Sequence, residues 1–342
     1  MRAIILHGPR RITLEDVPVP AIAADEVLVK IAVATTCGTD LKVYEQGGHP
    51  RMLRPPTPFG HEWSGTLAAV GSRVRGFREG MRVVANNSAP CLQCFYCRRQ
   101  LFNLCEDLLF VNGAFAEYLV LPARLVQTNL LVVPEGLPLA LACLTEPLAC
   151  VLHCLDQVTL HPGDTVVING DGPHGLLLAA VAKRRGARVI LCGRAPQRLA
   201  LAPRFGADAV VNYAAVPDQA AAVRALTEGQ RGADVAIEAV GRPQVWEATA
   251  AMVRKGGQVV FYGGCPPHTR ACFDTQALHY DQLTLRGVFH NTPAHVRQAL
   301  ALLGEADFPA AALLTHTLPL SELATAFALM ASRQALKVAL QP

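Results

Sequence analysis

The chain has 342 residues, of which 51% are hydrophobic and 17% are charged. This composition is typical of a globular protein and excludes a disordered or collagen-like chain, and the length predicts two domains. The net charge of +4 comes without any run of five like charges, so a nucleic-acid-binding protein is not favoured.

The apolar stretch near the N-terminus, residues 3–6, is too short for a signal peptide. The most apolar region, residues 137–155, contains two prolines, a glutamate and a histidine, so a buried helix is predicted there rather than a membrane span. We therefore expect a soluble, cytoplasmic protein. The 11 cysteines are an odd number in a long chain, which favours metal binding over a disulfide framework.

Residues 1 to about 140 predict a mainly β region. Alternating apolar residues mark strands at 25–34, 64–70 and 82–85, joined by turns rich in glycine and proline. The apolar region 137–155 follows as a predicted helix.

After Pro147, short apolar runs alternate with helical stretches. Strands are predicted at 165–169, 188–192, 209–212, 235–239, 258–262 and 284–288. Helices are predicted at 175–185, 196–205, 217–227 and 243–253, and the last three begin with proline, which suits a first helical turn. This alternation predicts a parallel, doubly wound sheet. Beyond about Pro293 we expect two more helices and a final strand at 337–340.

Four cysteines lie within fifteen residues: Cys91, Cys94, Cys97 and Cys105. Four thiolates at this spacing can surround one ion tetrahedrally, and sulfur donors suit zinc. Such a site leaves no position for water, so we predict a structural zinc that clamps a loop. Two alternatives stay open, namely four unmodified thiols or an iron–sulfur cluster, whose usual spacing differs after Cys97.

A second set of candidate metal ligands is spread along the chain: Cys37, His61, Glu62 and Glu146. A mixed set of sulfur, nitrogen and oxygen ligands leaves room for a water or a substrate oxygen, which zinc would polarise. Taken singly, each residue also has an ordinary structural explanation, such as a core cysteine, a hydrogen-bonded histidine or a turn-capping glutamate. Spacing alone does not bring them together.

Gly170, Gly172 and Gly175 follow a predicted strand and open a predicted helix. In such a loop the first glycine allows a tight turn, the second lets a pyrophosphate approach the backbone, and the third lets the helix pack on the strand. The helix N-terminus attracts the phosphates. This context predicts a nucleotide-binding domain of the Rossmann type.

The second strand of this domain lacks the acidic residue that would hold a ribose 2′-hydroxyl. It ends instead at Gly193 and Arg194, with Arg198 one helical turn later. Two guanidinium groups without a carboxylate favour a 2′-phosphate, so we predict NADP in preference to NAD. The alternative is that Arg194 stacks on adenine while Arg198 faces solvent.

Five motifs occur in order: Cys37-Gly-Thr-Asp, Gly60-His-Glu, the four-cysteine loop, Glu146-Pro and Gly170-x-Gly-Pro-x-Gly. Together they resemble the zinc-containing medium-chain alcohol and polyol dehydrogenases over essentially the whole chain. Glu146-Pro-Leu-Ala and Gly113-Ala-Phe-Ala-Glu-Tyr118 are similar to the branch of sorbitol, glucose and L-threonine dehydrogenases.

The resemblance implies an α/β protein with a GroES-like, mainly β catalytic domain (1–147 and 291–342) and a Rossmann cofactor domain (148–290). It implies that Cys37, His61 and either Glu62 or Glu146 bind a catalytic zinc. Thr39 is expected to hydrogen-bond the alcohol oxygen and to begin a proton relay. The predicted cofactor-binding residues are Gly170, Gly172, Pro173, His174, Gly175, Gly193, Arg194, Arg198, Tyr262, Gly263, Gly264, Val288 and Phe289.

One position departs from the pattern, because Lys42 stands where several polyol relatives end the relay at a histidine. Either Lys42 relays the proton with a lowered pKa, or water does; the ordinary alternative is a solvated helix lysine. His49, Arg51, Trp63, Phe110 and Glu117 are candidates for the substrate pocket, with surface or core packing as the alternative for each.

We therefore predict a zinc-dependent oxidoreductase that transfers a hydride between a secondary alcohol or polyol, or its ketone, and NADP or NAD. It would carry two zinc ions per chain and form a homo-oligomer, a dimer or tetramer, without nucleic-acid or membrane partners. A carbonyl or quinone reductase of the zinc-free type and a non-catalytic zinc-binding regulatory protein are the alternatives. Two zinc ions per chain favour the dehydrogenase, and one favours either alternative.

Overall fold

In a computed structural model of the chain, residues 1–49 and 52–342 are described. They form two compact units. Unit 1 comprises Met1–Ala149 and Asn291–Pro342, and unit 2 comprises Cys150–His290. Within the described ranges no helix has the length and apolar character needed to cross a membrane. Arg51, a candidate pocket residue, lies outside the described residues.

Unit 1 is mainly β, as predicted. Its first segment contains β1 (Arg2–Gly8), β2 (Arg11–Asp16), β3 (Val27–Thr35), α1 (Gly38–Gln46), β4 (Thr57–Pro58), β5 (Glu62–Val70), β6 (Arg82–Ala85), β7 (Ser88–Ala89), β8 (Leu109–Phe110), β9 (Tyr118–Leu121), α2 (Ala123–Thr128), β10 (Leu130–Val132), α3 (Leu139–Ala142) and the start of α4 (Thr145–Leu155). The region expected as one buried helix over 137–155 is therefore two helices.

Unit 2 continues with β11 (Thr165–Asn169), α5 (Pro173–Arg184), β12 (Arg188–Gly193), α6 (Pro196–Leu199), β13 (Ala209–Asn212), α7 (Gln219–Ala225), β14 (Ala233–Glu238), α8 (Pro243–Ala250), β15 (Val253–Phe261), α9 (Thr275–Tyr280) and β16 (Thr284–Gly287). The C-terminal segment of unit 1 contains α10 (Pro293–Leu303), β17 (Leu314–Pro319), α11 (Leu323–Ala331) and β18 (Lys337–Gln341). Neither α9 nor β17 was expected from the sequence.

The main sheet of unit 1 has the order β10-β6-β5-β3-β18-β17, with β9 also paired to β3. Its central pair, β3 and β5, is antiparallel, and the inward side chains of β3, such as Val27 and Val29, are fully buried. β18 pairs with the end of β3 through Ala339 and Leu340. The C-terminal segment therefore completes this sheet.

Unit 2 is a six-stranded parallel sheet in the order β13-β12-β11-β14-β15-β16. The apolar residues of β11 and β12 are buried on both faces, as in sheets covered by helices on each side. The strand order reverses between β11 and β14, which confirms the doubly wound arrangement.

Several predicted helices of unit 2 differ from the structure. The helix expected over 243–253 ends at Ala250, and Val253 already begins β15. The helix expected over 217–227 begins at Gln219, because the Asp218 side chain accepts a hydrogen bond from the Ala221 N–H and caps the first turn. The helix expected over 196–205 is divided into α6 and a 3-10 turn at Ala202–Phe205. Pro203 lies in that turn, where it cannot donate a helical hydrogen bond.

β3 and β5 approach each other closely at Gly65. A Cβ atom at this position would lie 2.1 Å from the carbonyl oxygen of Lys30, so even the smallest side chain would force the two strands apart. The last glycine of the Gly60-His-Glu-x2-Gly65 motif is thus required by packing of the sheet.

We expect Gly65→Ala to lower the free energy of unfolding of unit 1 by about 1–3 kcal/mol or more, the usual cost of overpacking. Gly8→Ala is the matched control, because a Cβ there meets no atom within 4 Å. The chain has two tryptophans, one in each unit, so urea unfolding can be followed by Trp63 fluorescence in a Trp246→Phe background. Equal midpoints for the two variants would contradict this account of Gly65.

Candidate functional site

Cys37, His61 and Glu62 come together in unit 1. Their ligand atoms all lie within 4.8 Å of one another, and all three residues are buried. Cys37 is the residue immediately before α1, His61 is the residue immediately before β5, and Glu62 is the first residue of β5. The fold thus joins a helix start and a strand start into one group with sulfur, imidazole and carboxylate donors, which is a ligand set typical of catalytic zinc sites.

Asp40 orients two members of this group. His61 Nδ1 donates to Asp40 Oδ1 at 2.8 Å, and the Cys37 backbone N–H donates to Asp40 Oδ2 at 3.0 Å. The ring therefore keeps Nε2 for a metal, as second-shell carboxylates commonly ensure. The sequence analysis did not single out Asp40, although its place three residues after a helix-capping position was a usable signal.

The electrostatics of the group favour a cation. Burial alone would lower the pKa of His61, but the charge and hydrogen bond of Asp40, with a smaller effect from Cys37, raise it well above its usual value. The imidazole therefore lies in anionic surroundings. The same anionic surroundings suit a zinc ion.

Glu62 has two buried partners of its own. Lys337 Nζ lies 2.6 and 2.5 Å from its two carboxylate oxygens, and Thr35 Oγ1 donates to it at 2.5 Å. Lys337 is 1% exposed and Glu62 is 0% exposed. Burial would lower the pKa of Lys337, but the negative charge of Glu62 above all raises it, so the lysine stays charged. It comes from β18, 275 residues after Glu62 in sequence, and no local pattern could have revealed it.

The other three residues predicted for this site lie on α4 and α1. Glu146 is buried at the start of α4 and does not belong to the group of three, although its charge contributes to the raised pKa of Lys337. On α1, Thr39 is half-buried two residues after Cys37, and Lys42 is exposed.

The second metal group is Cys91, Cys94, Cys97 and Cys105, whose sulfur atoms all lie within 4.8 Å of one another. Two of the separations are 4.0 Å (Cys91 to Cys97) and 3.9 Å (Cys94 to Cys105). A tetrahedron with Zn–S bonds of about 2.3 Å has edges of about 3.8 Å. The four sulfurs therefore fit one zinc ion.

The pKa values of the four cysteines are shifted in different directions. The backbone N–H of Cys97 is the main cause that lowers the pKa of Cys94 to about 6, and that of Gln93 lowers the pKa of Cys91. Burial raises the pKa of Cys97 to about 12 and also raises the pKa of Cys105. Metal binding must therefore displace protons from the two buried cysteines.

The predicted nucleotide residues of unit 2 all follow the carboxyl ends of parallel strands. The glycine loop follows β11, Gly193 and Arg194 lie at the end of β12, residues 262–264 follow β15, and Val288 and Phe289 follow β16. Carboxyl ends of parallel strands meet at one edge of a sheet, next to the point where the strand order reverses. His174 and Tyr262 lie with their ring centroids 5.5 Å apart at this edge.

The glycine loop makes the close strand-to-helix turn that is expected of a pyrophosphate-binding loop. Gly172 is the residue before α5, and Pro173 is its first residue. A Cβ on Gly175 would lie 1.9 Å from the Gly170 carbonyl oxygen, so only glycine lets the helix start this close to β11. The Asn169 side chain, which accepts from Gln219 and donates to Thr249, both at 2.9 Å, holds the end of β11; the sequence analysis missed this network.

The residues predicted for the substrate pocket lie in different surroundings. Trp63 is buried in the core cluster of unit 1. Glu117 accepts from the backbone and side chain of Arg2 at 2.8 and 2.9 Å, so it holds the first residue of β1. Phe110 is half-buried in β8, and His49 accepts from the Met52 N–H at 3.2 Å.

Comparisons with known proteins agree with this arrangement. A family model described as "Zinc-binding dehydrogenase" matches residues 173–305, and one described as "Alcohol dehydrogenase GroES-like domain" matches residues 23–135. L-threonine 3-dehydrogenase of Stenotrophomonas maltophilia (strain K279a) is 33% identical and covers 99% of each chain. Sorbitol dehydrogenase of Bacillus subtilis (strain 168) is 33% identical over 84% of this chain and 82% of its own. A protein of Sinorhizobium meliloti 1021 described as a zinc-binding dehydrogenase, with NADP bound, has a TM-score of 0.90 at 28% identity and covers 100% of this chain and 99% of that one.

We expect Lys337→Met to lower the free energy of unfolding of unit 1 by about 3–5 kcal/mol, because it leaves the Glu62 carboxylate buried and unpaired. Arg73→Met is the control within the same unit, since it breaks the exposed pair with Asp25 and should cost about 1 kcal/mol or less. The measurement is urea unfolding followed by Trp63 in the Trp246→Phe background. Adding Glu62→Gln to Lys337→Met should recover part of the loss, and a further loss instead would contradict the assignment.

We expect zinc affinity of the four-cysteine loop to fall by roughly 100-fold per pH unit on acidification below pH 8, because at least the two cysteines with raised pKa must lose protons on binding. A Cys37→Ser background removes one ligand of the other predicted zinc site, and competition with a chelator measures the affinity that depends on Cys97. Cys97→Ser should abolish tight binding, whereas Cys272→Ser, an exposed cysteine outside the group, should not change it. A pH-independent affinity would refute the closed thiolate site.

Proposed function

Since the chain belongs to the zinc-binding medium-chain dehydrogenase family, we propose that it is a zinc-dependent oxidoreductase that transfers a hydride between a secondary alcohol or polyol, or its ketone, and a nicotinamide nucleotide. The observation that carries this proposal is the buried group of Cys37, His61 and Glu62. A zinc-free carbonyl reductase would have no use for these three ligand types in one place. A protein with only a structural role would need the four-cysteine loop alone.

When bound, zinc supplies a Lewis acid for the alcohol oxygen, and the nicotinamide supplies the hydride acceptor. The chain contributes orientation and charge. Asp40 fixes the ring of His61, and Lys337 neutralises Glu62, so Glu62 would be a weak ligand that can exchange. Glu146 is the second glutamate that we propose for the same metal.

Proton removal from the alcohol would begin at Thr39. Its half-buried position two residues after Cys37 places its hydroxyl in the same helical turn that carries the metal ligand. Beyond Thr39 the proton would pass to Lys42 or to water, and the exposure of Lys42 supports release to solvent at this end of α1.

In unit 2 we propose that the phosphates of the nucleotide are held by Gly170, Gly172, Pro173, His174 and Gly175, and that Tyr262, Gly263, Gly264, Val288 and Phe289 line the remaining length. Gly193, Arg194 and Arg198 would favour NADP. Two observations support this preference: β12 itself ends at Gly193 without an acidic residue, and the similar protein of Sinorhizobium meliloti holds NADP. The sorbitol and L-threonine dehydrogenases among its relatives point to substrates that carry a secondary hydroxyl beside a second polar group.

The test is oxidation of a panel of sugar alcohols, cyclitols, β-hydroxy amino acids and simple secondary alcohols, with NADP and NAD in parallel. Cys37→Ser should lower kcat by at least about 1000-fold, since loss of the metal removes several kcal/mol of transition-state stabilisation. It should leave nucleotide binding intact, which separates a chemical effect from misfolding. Cys272→Ser is the control, and near-normal turnover by Cys37→Ser would overturn the assignment.

A further inference from the structure

Asp171 lies inside the glycine loop and reaches across to the end of β12. Its Oδ2 accepts hydrogen bonds from the backbone N–H groups of Arg194 and Ala195, both at 2.8 Å. A single carboxylate oxygen therefore holds the two residues that follow Gly193. The sequence motif does not require this, because the residue between the first two glycines can be of any type.

The same side chain explains why position 193 is a glycine. The φ of Gly193 lies outside the left-handed region, so its backbone conformation does not demand glycine. The available space requires glycine, because a Cβ at 193 would lie 2.5 Å from the Asp171 Cβ, 2.6 Å from its Oδ2 and 2.7 Å from its Cγ. Asp171 occupies the volume into which any side chain at 193 would project.

Position 193 is also where the strand ends that would carry the acidic residue for a ribose 2′-hydroxyl. We propose that Asp171 and Gly193 form an interlocked pair, in which the Asp171 side chain fills the space that any side chain at 193 would need. This pair makes the chain prefer nucleotides that carry a 2′-phosphate. The inference rests on the proposed function for its nucleotide, but the interlock itself is a property of the chain. Asp171 acts as a positioning residue that excludes an acid at 193 and fixes the turn from which Arg194 extends.

The charges are consistent with this role. The carboxylate of Asp171 faces two N–H donors, which compensate its negative charge, while the Arg194 side chain is exposed and Arg198 is half-buried one helical turn later. An acid introduced at 193 would have to displace Asp171, and the displaced side chain would leave both N–H groups without their acceptor. Nucleotide preference therefore cannot be changed at 193 unless 171 changes as well.

The interlock is tested first on the nucleotide-free protein by thermal unfolding. Gly193→Asp should lower the melting temperature, and Asp171→Ala combined with Gly193→Asp should recover at least half of that loss. Gly8→Asp is the control for an added aspartate, because a Cβ at Gly8 meets no atom within 4 Å. A Gly193→Asp protein as stable as the wild type, or additive effects of the two changes, would overturn the interlock.

The consequence for nucleotides is tested by fluorescence titration with NADPH and NADH. Asp171→Ala should lower the affinity ratio of NADPH to NADH by about tenfold, the effect of one charge-assisted contact, and the double variant should prefer NADH. An unchanged or increased ratio in Asp171→Ala would overturn this half of the inference.

Arg194→Ala, with Arg204→Ala as the control for loss of an exposed arginine, separates this inference from the proposed function. If the wild type prefers NADH and Arg194→Ala has no effect on either nucleotide, the proposed NADP preference fails and the nucleotide half of the inference fails with it. The stability measurements then still decide whether the two positions are interlocked.

Discussion

The metal group of unit 1 depends on the buried ion pair between Lys337 and Glu62. Removing two charges from water is costly, and the cost is offset only where contacts are close and other polar groups are satisfied. Here Lys337 Nζ contacts both carboxylate oxygens and also donates to the Thr36 carbonyl oxygen at 3.1 Å. Because Lys337 belongs to the C-terminal strand, the ion pair with Glu62 is complete only when that strand has joined the sheet.

The two metal groups are built in opposite ways. The four cysteines lie within fifteen residues of one loop, and backbone N–H groups lower the pKa of two of them, Cys91 and Cys94. Cys37, His61 and Glu62 come from separate elements and are oriented by Asp40 and Lys337. A closed loop suits a structural ion, whereas a group held by charge balance suits a metal whose ligands exchange.

At the edge of the unit 2 sheet where the predicted nucleotide residues lie, the space available restricts the residue types more than charge does. Gly175 lets α5 begin against the Gly170 carbonyl, and Asp171 occupies the space that a side chain at position 193 would need. Both positions are predicted from the sequence as glycines of a dinucleotide-binding domain, but the packing reason for glycine at the second is not contained in the motif. An absent acid at the end of β12 is thus the result of an aspartate placed 22 residues earlier in the chain.

Local patterns in the sequence determined the four-cysteine loop, the glycine loop with its flanking strand and helix, and the alternation that builds the parallel sheet, because each depends on residues close together in the chain. The strands at Arg82–Ala85, Thr165–Asn169 and Ala209–Asn212 were predicted to the residue. Tertiary structure alone decided that Lys337 neutralises Glu62, that Asp40 orients His61 and that Asp171 fills the space beside Gly193. These contacts join residues that periodicity and spacing cannot connect, since burial and distance between remote segments are set only when the sheets close.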